Sequence, residues 1–215
     1  MEILKHKNGS VEQTIYDVII PIFGNDKIFV EAGGSHPIEG NMTYLFEKIG
    51  WKGLIVEPKE DFNYHYSIER PNSIVENYVL VSEKYEGSEI EADFSYYMEG
   101  GVVNTWNRDN WNPKFYKCCT LDYLMRKHNM IEIHLLSIDV EGYENEVLDG
   151  IDFDSTFVHL MVLESHEIDG ICVNFDYLEE KGFSKILVIE RSKSSFAHEF
   201  WMNKKSGFFK TNSSE

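Results

Sequence analysis

Four short apolar runs in this chain end in a carboxylate. They are Lys27-Ile28-Phe29-Val30-Glu31, Gly53-Leu54-Ile55-Val56-Glu57, His134-Leu135-Leu136-Ser137-Ile138-Asp139 and the run from Val158 to Glu164. Each is short for a helix and nearly continuous in its apolar character, the pattern of a strand buried on both faces of a parallel sheet. The segments between them have helical spacing. Ile15, Val18, Ile19 and Ile22 fall on one side of a helix over 12–23, Tyr44, Leu45 and Ile49 on one over 41–49, and Leu121, Leu124 and Met125 follow Thr120 as N-cap. Strands separated by helices predict an α/β chain with a doubly wound, mostly parallel sheet. In such sheets ligands bind beyond the carboxyl ends of the strands. Glu31, Glu57, Asp139 and Glu164 are therefore expected along one rim.

The remaining elements fit the same plan. Residues 73–82 read as a third strand, 61–69 and 172–182 as helices, and 183–190 and 199–203 as the last strands. Residues 83–118 form a polar, aromatic hairpin and loop insertion, whose Trp106 to Trp111 segment suits a lid or an acceptor-binding surface. With no repeat, linker or break in composition, the expectation is one domain over 1–215, with an N-terminal helix region at 1–26 and a frayed tail at 204–215.

Charge and cysteines narrow the partners. A formal net charge of -17 over 215 residues opposes binding to phosphate backbones or anionic membranes. A small-molecule or glycan partner is expected, with no nucleic acid and no membrane; oligomeric state is not legible. No apolar run approaches the ~20 residues that span a bilayer. Met1-Glu2-Ile3-Leu4-Lys5 lacks the basic-then-apolar layout of a signal peptide. Cys118, Cys119 and Cys172 form no CxxC pair, so a reducing, cytoplasmic setting is expected and cysteine-type zinc is not.

Three constellations carry chemistry. The first is Glu31, Gly33, Gly34 and Ser35 after the first strand, with Glu57 ending the second. Glycines in that turn let backbone approach a ligand, and an acid after the second strand can accept both hydroxyls of a ribose. The helix beginning near Asn41 offers N–H groups to a carboxylate. His36 and Pro37 lie inside the loop. A third glycine at dinucleotide spacing is missing, which argues against a nicotinamide-dependent oxidoreductase. The second constellation is Ser137-Ile138-Asp139-Val140-Glu141-Gly142, where Asp139 is placed as proton acceptor, metal ligand or contact to a ligand's amino group. The third is Glu164-Ser165-His166, a carboxylate and an imidazole able to act as base and orienter.

The ordered set resembles the FkbM family of S-adenosylmethionine-dependent methyltransferases. The resembling pieces are Phe29 to Gly34, Leu45 to Pro58, Thr120 to Leu124, Leu135 to Glu144, Val147 to Phe153 and Gly182-Phe183, together covering about residues 12 to 203. The resemblance implies a Rossmann-like class I methyltransferase sheet of seven strands with the last antiparallel. It implies S-adenosylmethionine held by Glu31, Gly33, Gly34, Ser35, Asn41, Glu57, Asn77 and Asp139, and transfer of the methyl group to a hydroxyl of a sugar or small molecule. Asp139, Glu164 and His166 are then the expected catalytic groups. A metal is not required; if Mg²⁺ is held, Asp139, Glu141 and Glu164 are the candidate ligands. The family loop runs Gly-Ala-Asn-Asp-Gly and then Ser-Asn-Thr, whereas here it reads Gly33-Gly34-Ser35-His36-Pro37 and then Gly40-Asn41-Met42. That departure motivates the alternative of a methyltransferase-like binding or partner protein with weak or no catalysis.

Overall fold

The computed structural model describes residues 2–5, 11–95, 100–102, 111–166, 173–190 and 196–209. In chain order the elements are β1 (Glu2–Lys5), α1 (Val11–Phe23), β2 (Ile28–Ala32), α2 (Tyr44–Lys48), β3 (Lys52–Val56), α3 (Asn63–Glu69), β4 (Ser73–Glu76), β5 (Val79–Leu80) and β6 (Glu89–Ala92). They continue with β7 (Lys114–Cys119), α4 (Leu121–Lys127), β8 (Glu132–Ile138), α5 (Glu144–Asp149), β9 (Phe157–His166), α6 (Phe175–Glu180), β10 (Phe183–Glu190) and β11 (Phe196–Asn203). The main sheet has the order β1-β10-β11-β9-β8-β2-β3-β4. Strands β4, β3, β2, β8 and β9 are mutually parallel, and β11 is antiparallel to both β9 and β10. This is the expected seven-stranded arrangement, with β1 added on the outer edge parallel to β10. The region read only as helical at 1–26 thus contributes a strand as well as α1.

Neighbouring residues of one strand point to opposite faces, and here that splits the core in two. Phe29, Ile55, Leu135, Leu160 and Val162 join Ile15, Ile19 and Phe23 of α1 on one face. Val30, Leu54, Leu136, Ile138 and Met161 join Leu121, Leu124 and Met125 of α4 and Leu178 of α6 on the other. The continuous apolar runs are needed because both faces are covered. Thr120 caps α4 by accepting from the Tyr123 N–H at 3.0 Å.

The run read as a single strand over 73–82 is two. β4 ends at Glu76, the chain turns through Asn77 and Tyr78, and β5 leaves the main sheet to pair parallel with β7. β-Branched residues stand on both sides of the turn, at Ile74-Val75 and at Val79 and Val81, so composition alone does not mark the break. β6 and β7 are antiparallel, so the 83–118 insertion does contain a paired strand couple. Cys118 and Cys119 end β7, both buried, and burial pushes the Cys119 thiol up to about 12, which keeps it protonated and inert. Trp106 lies outside the described residues, as do most of the expected lid and Cys172. The tail read as frayed from 204 is packed as far as Phe209. The Ser206 hydroxyl lies 2.7 Å from His159 Nδ1, and the Phe208 ring sits 4.6 Å from that of Phe23. Among the described residues no helix is long and apolar enough to cross a membrane.

One buried cation fastens the loop that follows β2. Arg70, at the end of α3, is fully enclosed. Its guanidinium donates to Glu47 Oε2 at 2.6 Å, Asn41 Oδ1 at 2.6 Å, Thr43 Oγ1 at 2.8 Å and the Pro37 carbonyl at 3.3 Å. Glu47 of α2 also accepts from the Ser73 hydroxyl and from the Asn72 N–H. Removing one partner of such a pair leaves an uncompensated buried charge, which costs about 3–5 kcal/mol. Arg70→Ala is expected to lower stability by about that amount in a denaturant titration, and Glu47→Ala by a similar amount; a change within 0.5 kcal/mol of zero, roughly the range of neutral surface substitutions, would show that the network carries no load.

Candidate functional site

The expected rim is present. Glu31 lies in the last turn of β2, Glu57 and Asp139 directly follow β3 and β8, and Glu164 lies near the end of β9. Because β9, β8, β2 and β3 are consecutive neighbours in the sheet, the four acids end four adjacent parallel strands. A cavity opens above them, lined by Gly33, Ser35, Glu57, Lys59, Asp139, Val140 and Glu141, with apolar walls from Phe62, Tyr78, Val79, Leu80, Phe94 and Val102.

Gly33 has φ +82°, and a Cβ there would lie 1.7 Å from the Asp139 carbonyl oxygen. Only glycine lets the β2 loop pass this close to the β8 loop. The contact is fixed from both sides, by Gly33 N–H to the Val56 carbonyl at 3.0 Å and Asp139 N–H to the Ala32 carbonyl at 3.0 Å. The loop thereby lies across the ends of β3, β2 and β8.

The sequence-predicted residues separate into those that face the cavity and those that build it. Gly33, Ser35, Glu57, Asp139 and Glu141 line it. Glu31 and Asn41, expected as cofactor contacts, are buried beneath the loop instead. Glu31 accepts from Met42 N–H at 2.8 Å and from the Thr43 hydroxyl at 2.6 Å, and Asn41 donates to the Gly34 carbonyl at 3.0 Å. Gly34 is packed against Ile55 and Tyr66 rather than the cavity. Asn77 supports Glu57 from behind, donating to its carbonyl at 2.7 Å. His36 turns inward on its own loop, its Nδ1 accepting from the N–H groups of Ile38 at 3.3 Å and Glu39 at 3.0 Å. The His166 backbone ends β9 opposite Phe196, but its side chain lies outside the described residues.

The Glu57 carboxylate accepts from Ser35 N–H at 2.7 Å and from Lys59 N–H at 2.8 Å. A carboxylate has about four lone-pair sites, so both oxygens keep room for a further donor. Burial raises its pKa to about 7 against the lowering by those two N–H groups, with nearby Glu31 adding to the rise. Asp139 is pushed well up, first by burial and then by Glu164, with which it shares a hydrogen bond. Two carboxylates this close disfavour each other's ionised form, which is the second cause of that rise. His198 on β11 completes the group, directly opposite Glu164 in register, with Nε2 4.0 Å from Glu164 Oε1. Ligand atoms of Asp139, Glu164 and His198 all lie within 4.8 Å of one another. The sequence pattern does not point to His198, because it starts the last strand at Glu199, three residues after the observed start at Phe196, and because an antiparallel strand inserted beside β9 is invisible in local pattern.

A proton on Glu57 is held more tightly in the folded chain than in the unfolded one. The stability this contributes is complete below about 4.5 and is lost as pH rises through about 7. We expect Glu57→Gln to remove about 3 kcal/mol of pH dependence over that interval from the ligand-free protein, measured as the difference between wild-type and variant unfolding free energies. Parallel pH curves for the two proteins would show that Glu57 does not hold the proton.

Comparison with known proteins agrees with this geometry. The family described as "Methyltransferase FkbM domain" matches residues 24–202. No curated protein matches the chain. Among solved structures, the putative methyltransferase yhhF from Escherichia coli superposes with a TM-score of 0.50 at 11% identity, covering 94% of this chain and 90% of that one. The METTL16 methyltransferase domain superposes with a TM-score of 0.51 at 11% identity, over 93% of this chain and 66% of its own. A methyltransferase FkbM from Methylobacillus flagellatus KT is similar at a TM-score of 0.48 and 10% identity, over 83% of this chain and 43% of its own. At such identities these likenesses concern the fold. The domain match, by contrast, takes in most of the chain, β2 to β11 with the whole acid-lined rim, and the chain belongs to the FkbM methyltransferase domain family.

Proposed function

We propose that the chain binds S-adenosylmethionine in the cavity above β2, β3 and β8 and transfers its methyl group to a hydroxyl of a sugar or other small molecule. The observation that carries this reading is the charge and occupancy of the cavity. Glu57, Asp139 and Glu141 line it, with Lys59 as the cation. That lining suits a ligand with a sulfonium and an ammonium group and repels a pyrophosphate. The helix start that a dinucleotide's phosphates would use is already taken. Met42 N–H is bonded to Glu31, and Thr43 N–H lies 3.2 Å from Asn41 Oδ1. In this reading Glu57 accepts the ribose hydroxyls, the apolar wall of Tyr78, Val79 and Leu80 takes the adenine, and the methionine end lies beside Gly33 and Asp139. Glu31, Asn41 and Asn77 act by positioning the loop and Glu57.

Methyl transfer to a hydroxyl needs the nucleophile aligned with the sulfonium methyl, water excluded, and a proton acceptor. Oxygen attacks carbon as the carbon–sulfur bond breaks, S-adenosylhomocysteine leaves, and the hydroxyl proton goes to the Asp139–Glu164 pair. His166, beyond Glu164 in sequence, is retained as an orienting candidate.

Titration calorimetry with S-adenosylhomocysteine is expected to give one site, weakened at least about 10-fold in Glu57→Ala, since a hydrogen bond to a charged group contributes about 1.5–3 kcal/mol. No heat and no thermal shift with the wild-type protein would instead favour a methyltransferase-like partner protein without cofactor. With an acceptor found by radiolabelled-methyl transfer, Asp139→Asn is expected to lower kcat by about 10²–10⁴; unchanged turnover would overturn its role.

A further inference from the structure

We propose that Asp139, Glu164 and His198 form a divalent first-row metal site at the acceptor end of the cavity, with His198 rather than Glu141 as the third ligand. The three residues come from three adjacent chain segments: the turn after β8, the end of β9, and β11. Their ligand atoms lie within 4.8 Å of one another, and Glu141 is not in that group. Metal–ligand bonds of about 2.1 Å separate ligand atoms by about 3.0–4.2 Å, so small side-chain rotations close the set around one ion.

The burial pattern matches a reactive rather than a structural site. Glu164 and His198 are enclosed, at 6% and 1% exposure, while Asp139 lines the cavity. An ion held there is closed on the protein side and keeps positions open towards the acceptor. Two carboxylates and an imidazole suit Mn²⁺, Fe²⁺ or Zn²⁺ better than Ca²⁺ or Mg²⁺, which prefer all-oxygen sets. The role of the ion rests on the methyl-transfer reading. A bound ion would supply Lewis acidity that lowers the pKa of the acceptor hydroxyl, and the oxygen would take the methyl carbon as the carbon–sulfur bond breaks. With the ion bound, Asp139 and Glu164 would hold it and the hydroxyl proton would leave to water, in place of the transfer to the carboxylate pair proposed for the metal-free site.

Mn²⁺ is the probe, followed by the loss of its free-ion electron paramagnetic resonance signal on titration into metal-stripped protein. S-adenosylhomocysteine binding is measured separately by calorimetry. One equivalent of Mn²⁺ bound by wild type, with at least about 10-fold weaker binding in both His198→Ala and Glu164→Gln, is the expected result. Melting curves and retained S-adenosylhomocysteine binding report that each variant is folded. If wild type binds S-adenosylhomocysteine but no Mn²⁺, the metal proposal falls and the cofactor reading stands. If Mn²⁺ binds and S-adenosylhomocysteine does not, the metal site stands and the cofactor reading falls. Equal Mn²⁺ affinity in wild type and folded His198→Ala overturns the ligand set.

Discussion

The loop between β2 and α2 depends on one enclosed guanidinium. Arg70 reaches from the end of α3 to the Pro37 carbonyl, Asn41, Thr43 and Glu47, while Glu31 holds Met42 and Thr43 from the sheet side. The Arg70 charge is balanced by Glu47 at 2.6 Å, and its attraction also opposes the burial that raises the Glu31 pKa. Without that pairing the loop would carry several polar groups out of water with no partner, a state that costs more than the loop's own contacts supply. Everything above the sheet is positioned by this clamp, including Ser35, whose N–H reaches Glu57, and Gly33, which lies against Asp139.

The clamp also explains how a loop that departs from the family pattern is held in shape. The residues His36 and Pro37 stand where the family carries more flexible or acidic positions. In this chain His36 closes the loop tip on its own backbone, and the Pro37 carbonyl is one of Arg70's acceptors. The loop is shaped from beneath by Glu31, Asn41 and Arg70 more than by its own sequence, so the cavity face is left to backbone and to Ser35. A loop tied down by such bonds would spend less of its interaction energy on ordering when a ligand binds.

The two ends of the cavity have different electrostatic character. At one end Glu57 stands between two backbone N–H groups with lone pairs to spare, suited to neutral donors such as hydroxyls. At the other, Asp139 and Glu164 are forced together by the alignment of β8 and β9, and His198 is brought against them by β11. Under the proposed methyl transfer this asymmetry would divide the work, because the same acid cannot be both a tightly bonded anchor and a group free to exchange its proton or accept a cation.

Much of the architecture was legible in the sequence because its cause is local. A short, nearly continuous apolar run, such as Ile28-Phe29-Val30 or Leu135 to Ile138, reads as a strand covered on both faces, and an acid directly after it stands on the carboxyl rim. Glu57 and Asp139 were readable on that ground alone. The roles of Glu31 and Asn41 were not, because whether a side chain at the rim points into the cavity or under the loop depends on Arg70, which lies outside any motif. The split of the 73–82 run at Asn77 and Tyr78 depends on β5 finding β7, and the meeting of His198 with Glu164 depends on β11 inserting between β9 and β10. The sequence by itself determined the four acid-ended central strands and the acids at their ends, since side-chain period and polarity act over a few residues. Tertiary structure decided which acids face a ligand and which histidine joins them, since strand insertion and buried ion pairing join residues that no local pattern connects.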